Sequence, residues 1–130
     1  MNRAERDRMI ERFLAAWTSQ RVEQVLDCYT DDVRYHDPNT RGDVTGHEAL
    51  RRYLTRLFGA WTMTWTAREV FDLADEEGVA FLWHATFRRA GEDAVVEIDG
   101  MDLAVLRGDR VARNEVYFDR TALAAGPGSA

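Results

Sequence analysis

The stretch that decides the fold is Val79-Ala80-Phe81-Leu82-Trp83-His84-Ala85-Thr86-Phe87. Its large apolar side chains recur at every second position, which is the period of a β-strand with one buried face. The same period starts at Met63 and returns in residues 94–106 and 111–118, with turn-forming residues at 75–78, 91–93 and 108–109 between the runs. The sequence therefore predicts four consecutive strands joined by hairpins, with Gly100 as a bulge in the third.

The chain before these strands has the period of α-helices. Apolar residues three and four apart predict three helices, whose apolar faces are Ile10, Phe13, Leu14 and Trp17, then Val22, Val25, Leu26 and Tyr29, then Leu50, Tyr53, Leu54, Leu57, Phe58 and Trp61. Ser19 is the expected N-cap of the second helix, and Thr45 with Glu48 has the spacing of a capping box for the third. Residues 33–36 are expected to form a short strand between the second and third helices. This order predicts an α+β fold, in which the helices pack on one face of a curved sheet and leave a cone-shaped cavity.

Composition limits the classes of function. A chain of 130 residues with 45% hydrophobic and 31% charged residues predicts one globular domain, here residues 1–123, followed by a flexible tail at 124–130. The net charge of −6 argues against a nucleic-acid surface. No apolar run is long enough to span a membrane, and the charged N-terminus lacks a signal peptide, so a cytoplasmic location is expected. Cys28 is the single cysteine, which excludes an intrachain disulfide and a cysteine cluster.

The basic residues are of one kind. All 17 are arginine and none is lysine. Chemistry that needs a lysine, such as a Schiff base or a phosphate-binding P-loop, is therefore excluded.

Asp37 is the first candidate for chemistry. It ends the run Val33-Arg34-Tyr35-His36-Asp37-Pro38, and the proline pushes it away from helical geometry and toward the end of a strand. One interpretation is a general base or acid facing an apolar cavity. The other is a turn-forming residue whose side chain binds the backbone of the following loop.

The chain resembles the SnoaL-like branch of the nuclear transport factor 2 (NTF2)-like superfamily, which includes ketosteroid isomerases, polyketide cyclases, limonene epoxide hydrolase and non-catalytic binding domains. The resemblance is carried by the order of the elements, by Asp37-Pro38, by the helix start at residues 45–50 and by the final residues 108–111 and 115–119. It covers about residues 5–122. It implies a cone-shaped fold in which three N-terminal helices pack on a curved mixed or antiparallel β-sheet.

The resemblance also implies roles for single residues. Asp37 matches the general base of ketosteroid isomerase, and Asp102 matches the protonated aspartic acid that donates to the developing oxyanion. Phe13 stands where that enzyme has a tyrosine, so one hydroxyl donor is missing unless Tyr35, Tyr53 or Trp17 replaces it.

Aromatic and polar residues are expected to line the cavity. The predicted substrate-binding residues are Phe13, Trp17, Tyr35, Tyr53, Trp83, Phe87, Asn114 and Phe118. Their rings could surround an open pocket for a flat apolar ligand or could fill the cone, and the open pocket is favoured. Asn114 could orient a carbonyl group or a water molecule, or could only satisfy a neighbouring strand.

The three histidines do not predict a metal site, because His36, His47 and His84 share no ligand spacing. His36 and His84 are expected on the outer face of their strands, and His47 is expected to be solvated at a helix start. No cofactor is expected.

The favoured function is cofactor-independent acid/base chemistry on an apolar carbonyl compound, of the isomerase or cyclase type. The alternatives are a non-catalytic ligand-binding or dimerisation module and a hydrolase or dehydratase that uses the same pocket. Apolar residues such as Leu82 and Leu103 on the sheet face away from the helices predict a homodimer through that face.

Overall fold

The computed structural model describes residues 1–125. Its helices are α1 Arg3–Ser19, α2 Val22–Leu26, α3 His47–Ala60 and α4 Thr121–Ala125. Its strands are β1 Tyr29–His36, β2 Val44–Thr45, β3 Trp61–Asp72, β4 Gly78–Arg89, β5 Val95–Arg107 and β6 Arg110–Tyr117. The predicted α+β fold with helices first and hairpin-linked strands last is confirmed, and α4 is an additional short helix.

The strands form one mixed sheet in the order β2-β1-β6-β5-β4-β3. Neighbouring strands are antiparallel except β1 and β6, which are parallel. Register shifts between Ala67 and Glu69 and between Val105 and Leu106 bend the long strands, since an unpaired residue increases the local twist. α1 packs across β3, and α3 packs on β1.

The predicted alternation separates the two faces of β4. Val79, Phe81, Trp83, Ala85 and Phe87 are all buried, and the residues between them are half-buried. The buried set faces the helices and forms one hydrophobic core with them. The cavity lies in this layer.

Two predicted helix caps are wrong. Thr45 belongs to β2, and α3 starts after Gly46, whose φ of 86° ends the strand without a side-chain cap. Ser19 is the last residue of α1, where its hydroxyl donates to the Ala16 carbonyl at 2.6 Å. The capping box lies instead at the start of α1, between Asn2 and Glu5.

Gly100 is not a bulge. It pairs in register with Trp83 on β4. A Cβ atom at this position would lie 2.5 Å from Cζ2 and Cη2 of Trp83 and 2.7 Å from the carbonyl oxygen of Tyr117. The glycine is therefore required for space, because another side chain and another backbone approach it closely.

The predicted tail overlaps the last helix. Residues 124 and 125 belong to α4, and residues 126–130 of the predicted tail lie outside the described residues. Within residues 1–125, no helix is long and apolar enough to cross a membrane.

Candidate functional site

A narrow cavity lies between the helices and the inner face of the sheet. It is lined by Phe13, Leu14, Trp17, Tyr35, Asp37, Asn39, Leu57, Met63, Trp65, Phe87, Asp102, Val116 and Phe118. Its free volume is about 30 Å³, which is room for about two water molecules. The sequence favoured an open pocket, but the cavity is small because the aromatic rings fill most of the cone.

Asp37 ends β1 and is only 3% exposed. One carboxylate oxygen, Oδ1, accepts from the backbone N–H groups of Asn39 at 2.7 Å and Thr40 at 3.1 Å. The other, Oδ2, accepts from the hydroxyl groups of Tyr35, at 2.7 Å, and Tyr53. Both interpretations of Asp37 therefore hold at once, since it binds the loop backbone and also lines the cavity.

The two tyrosines are held as donors to Asp37. Burial, followed by the charge of Asp37, raises the pKa of both Tyr35 and Tyr53 well above the usual value of a phenol. Each hydroxyl group therefore stays protonated and donates a hydrogen bond to Asp37. With four donors for its two oxygens, Asp37 has every lone pair occupied.

Asp102 on β5 is buried in a different setting. Its Oδ1 accepts from the indole N–H of Trp83 at 2.7 Å, and its Oδ2 accepts from the side-chain amide of Asn114 at 3.0 Å. Burial raises the pKa of Asp102 to about 7, the two hydrogen bonds act against that rise, and the charge of Asp37 adds to it. At neutral pH this acid is close to the midpoint between its protonated and ionised forms.

Trp83 and Asn114 lie behind the cavity wall and do not line it, in contrast to the prediction. Both are fully buried and serve as donors to Asp102. The amide oxygen of Asn114 accepts from the hydroxyl of Tyr29 at 2.7 Å, and that hydroxyl accepts from the indole N–H of Trp17 at 3.2 Å. Asn114 also donates to the Leu103 carbonyl at 3.0 Å, so both its amide oxygen and its NH2 group are engaged in this buried network.

The other predicted binding residues are divided between two places. Phe13, Trp17, Tyr35, Phe87 and Phe118 line the cavity. Tyr53 lines a neighbouring groove, and only its hydroxyl reaches toward the cavity through Asp37.

The predicted replacements for the missing hydroxyl at Phe13 are all occupied, because Tyr35 and Tyr53 donate to Asp37 and Trp17 donates to Tyr29. Trp65 provides a donor that the sequence did not single out. It lines the cavity, and its indole N–H is buried without a hydrogen-bond partner among the described residues. The strand period placed Trp65 on the inner face, but no local signal distinguishes a free indole from a paired one.

The histidines lie away from the cavity lining. On the outer face, His84 binds Asp99 at 2.8 Å and Glu97 at 3.1 Å, and these partners raise its pKa. His36 lies 3.9 Å from Asp43. His47 is half-buried rather than solvated, with Nε2 3.0 Å from the carbonyl oxygen of Tyr29. Within residues 1–125, no three histidine, cysteine or acidic side chains are grouped in a way that could hold a metal ion.

Comparison with solved structures gives relatives of the same fold at low identity. A protein from Catenulispora acidiphila with a ketosteroid isomerase-like fold, in complex with trimethylamine, is 17% identical with a TM-score of 0.81, covering 94% of this chain and 93% of that one. A SnoaL-like protein from Jannaschia sp., provisionally named a polyketide cyclase, is 16% identical with a TM-score of 0.77 and covers 98% and 94%. The epoxide hydrolase/cyclase-like enzyme SalBIII, which has a role in pyran ring formation in salinomycin, is 17% identical with a TM-score of 0.80 and covers 93% and 95%.

These likenesses show the NTF2-like fold. No curated protein sequence matches the chain significantly. The family model described as SnoaL-like domain matches residues 10–114, from the middle of α1 to β6, and the chain therefore belongs to the SnoaL-like domain family.

Proposed function

We propose that the protein is a cofactor-independent enzyme that moves a proton on a small apolar carbonyl compound. The observation that carries the proposal is a pair of buried carboxyl groups, Asp37 and Asp102, which line one apolar cavity in different surroundings. Environments that differ in this way allow one carboxyl group to act as base while the other stays protonated as a donor.

Asp102 and Trp65 are the proposed hydrogen-bond donors to the carbonyl oxygen of the substrate. Asp102 in its protonated form donates one hydrogen bond, and the unpartnered indole N–H of Trp65 donates a second. Two donors aimed at the carbonyl oxygen stabilise the negative charge that forms there when a proton leaves the neighbouring carbon. Trp65 thus supplies the donor that Phe13 lacks.

Asp37 is the proposed base that accepts the proton from the substrate. The C–H bond breaks, its proton passes to Asp37, its electron pair forms a carbon–carbon double bond, and the π pair of the carbonyl group moves to the oxygen, which gives an enolate. When the substrate is an enone, return of the proton from Asp37 to the far carbon of the dienolate completes an isomerisation. When the enolate carbon attacks a second carbonyl group, that carbonyl's π pair moves to its oxygen, and the proton on Asp37 passes to this oxygen to complete a cyclisation. Because all lone pairs of Asp37 are occupied, one donor must first withdraw, and half-buried Tyr53 is less confined than buried Tyr35.

Solvent exchange tests this assignment. Small ketones such as acetone and butanone are incubated with the protein in D2O, and loss of the proton next to the carbonyl is followed by NMR. Asp37→Asn should slow exchange by about 10²-fold or more, as expected for loss of a general base. Trp65→Phe should slow it less. Asp31→Asn removes an exposed carboxylate from the same strand and serves as the control. Exchange that survives Asp37→Asn at the wild-type rate would refute the mechanism.

A non-catalytic binding module is the second candidate. It is favoured by the narrow cavity and by the four donors that occupy Asp37. A ligand that raises the melting temperature but shows no exchange at any pH between 5 and 9 would support this candidate over the enzyme.

We also propose a homodimer through the outer face of the sheet. Phe71 is 50% exposed and Tyr117 is 46% exposed, and the strand pairing aligns half-buried Leu82 with Met101 and Met101 with Tyr117. An apolar surface of this kind favours a partner of the same shape. Sedimentation equilibrium should give a dimer, and Leu82→Glu should give a monomer, whereas Arg52→Glu on the exposed side of α3 should leave the dimer intact. A monomeric wild-type protein at micromolar concentration contradicts the proposal.

A further inference from the structure

A second groove lies beside the cavity and is far larger, at about 630 Å³. It is formed by the loop after β1, the outer side of α3, the edge where β3 begins and β4 ends, and the segment that leads into α4. Its lining includes Arg41, Arg56, Arg89 and Arg120.

The groove is basic in an acidic protein. Four arginines line it and no aspartate or glutamate does, although the chain carries a net charge of −6. The other grooves with several charged residues mix both signs. The groove at the β1–β6 edge places Arg34 and Arg113 with Asp43 and Glu115, and the groove at the N-terminus contains four acidic residues beside Arg8 and Arg12.

Three of these arginines have no partner. Within residues 1–125, the side chains of Arg41, Arg56 and Arg120 form no ion pair and no hydrogen bond. Arg89 lies 4.5 Å above the ring of Trp61, and its contact with an acid is long, at 3.9 Å.

Some other arginines of the chain are neutralised by close acids. Arg51 contacts Glu23 at 2.9 Å and Glu48 at 2.8 Å, and Arg107 is paired with Asp32. Four like charges around one groove repel each other, and an anion bound between them would relieve that repulsion.

The groove and the cavity share two lining residues. Asn39 and Leu57 line both. Tyr53 lines the groove while its hydroxyl donates to Asp37, and the guanidinium of Arg56 is close enough to oppose the rise in the pKa of Tyr53 that burial and Asp37 cause. A ligand whose apolar end occupies the cavity would therefore extend past Asn39 and Leu57 into the ring of arginines.

We propose that this groove binds a phosphate or carboxylate group, so that the ligand of the protein is an apolar molecule with an anionic end. Guanidinium groups pair with both anions through two parallel hydrogen bonds, which makes arginine well suited to either. The inference that the groove binds an anion depends only on its arginines. The position of the apolar end in the cavity rests on the proposed function.

The test compares three probes of equal chain length: butyl phosphate, butanoate and butanol. Isothermal titration of the full chain at low salt should show the two anions binding at least tenfold more tightly than butanol, with an affinity that falls as ionic strength rises. The stronger of the two anions identifies the group as phosphate or carboxylate. Equal affinity for all three probes would overturn the proposal.

Matched variants locate the binding. Arg56→Gln combined with Arg120→Gln changes two exposed side chains of the groove and should weaken anion binding at least tenfold without changing the melting temperature. Arg52→Gln, exposed on the same helix but outside the groove, should change nothing. An equal loss in Arg52→Gln would mean that binding depends only on total charge, which contradicts the proposal.

The outcomes for groove and enzyme are separable. Anion binding that depends on Arg56 and Arg120, with no proton exchange on any carbonyl compound, would support the groove and refute the proposed function. Proton exchange on neutral carbonyl compounds, without tighter binding of anions, would support the proposed function and refute the anion-binding groove.

Discussion

Replacement of Asp102 by asparagine tests the electrostatics of the site without a substrate. The side chain is 6% exposed and accepts hydrogen bonds from Trp83 and Asn114, so a near-isosteric neutral residue keeps the packing. The new NH2 group would face the NH2 group of Asn114 and could not accept its hydrogen bond. The loss of that bond costs about 1 kcal/mol at every pH. The informative quantity is therefore how the difference between wild type and Asp102→Asn changes with pH.

The sign of that change follows from the raised pKa of Asp102, about 7 in the native protein against an ordinary value of 3.8. Between these values the native protein keeps the proton and the unfolded chain releases it. Stability from this group is therefore complete below about pH 4 and is lost as the pH rises to about 7. Three pKa units at about 1.4 kcal/mol each give a loss of roughly 4 kcal/mol.

Urea unfolding followed by tryptophan fluorescence measures this loss. From pH 4 to pH 8, the free energy of unfolding of wild type minus that of Asp102→Asn should fall by roughly 4 kcal/mol. Asp99→Asn, exposed on the same strand, is the control. The pKa of Asp99 is lowered by His84, an effect that acts below about pH 4, and Asp99 in turn raises the pKa of the partly exposed His84, so this variant should show only a small slope between pH 4 and pH 8. A wild-type minus Asp102→Asn difference that stays constant to within about 1 kcal/mol would refute the reasoning.

Three further results are expected. Gly100→Ala should lower the free energy of unfolding by about 1–3 kcal/mol in urea titrations, because its Cβ has no space, whereas Gly59→Ala on α3, with nothing within 4 Å, should raise it by up to about 1 kcal/mol. Tyr53→Phe should lower it by about 1.5–3 kcal/mol, the usual worth of a hydrogen bond to a charged group, since Asp37 loses a donor; no loss would show that this bond is unimportant. The rate of proton exchange should fall as the pH rises through about 7, when Asp102 loses the proton it donates, and a rate that is flat from pH 5 to 9 would contradict that role.

The sequence predicted those parts of the fold that depend on local periodicity. Alternation between Val79 and Phe87 gave the inner face of β4 correctly, because a strand buries every second residue. It did not give the parallel pairing of β1 with β6, since that contact joins Tyr29 to Val111 across most of the chain. The caps expected at Ser19 and Thr45 failed for a local reason, because both residues belong to the preceding element.

The candidate site was predictable only in part. Asp37 and Asp102 were found through their resemblance to a known pattern, and the structure brings both to one cavity. The free volume of the cavity was not predictable, because it is the small difference between the size of the cone and the volume of its rings. The unpartnered indole of Trp65 depends on which neighbours reach it in three dimensions.

The basic groove was not predictable from the sequence either. Arg41, Arg56, Arg89 and Arg120 come from a loop, a helix, a strand end and the segment before α4. No short stretch of the sequence is basic enough to indicate a binding surface. Only the fold brings the four side chains together.

Gly100 connects the packing of the sheet to the chemistry of Asp102. The indole of Trp83 lies where a side chain at position 100 would be, and from there its N–H reaches Asp102. That hydrogen bond and the one from Asn114 stabilise the ionised carboxylate and limit the rise in pKa that burial alone would cause. The titration of Asp102 near neutral pH is therefore set by two opposing effects, an apolar setting and two fixed donors. One of those donors is in place because residue 100 has no side chain.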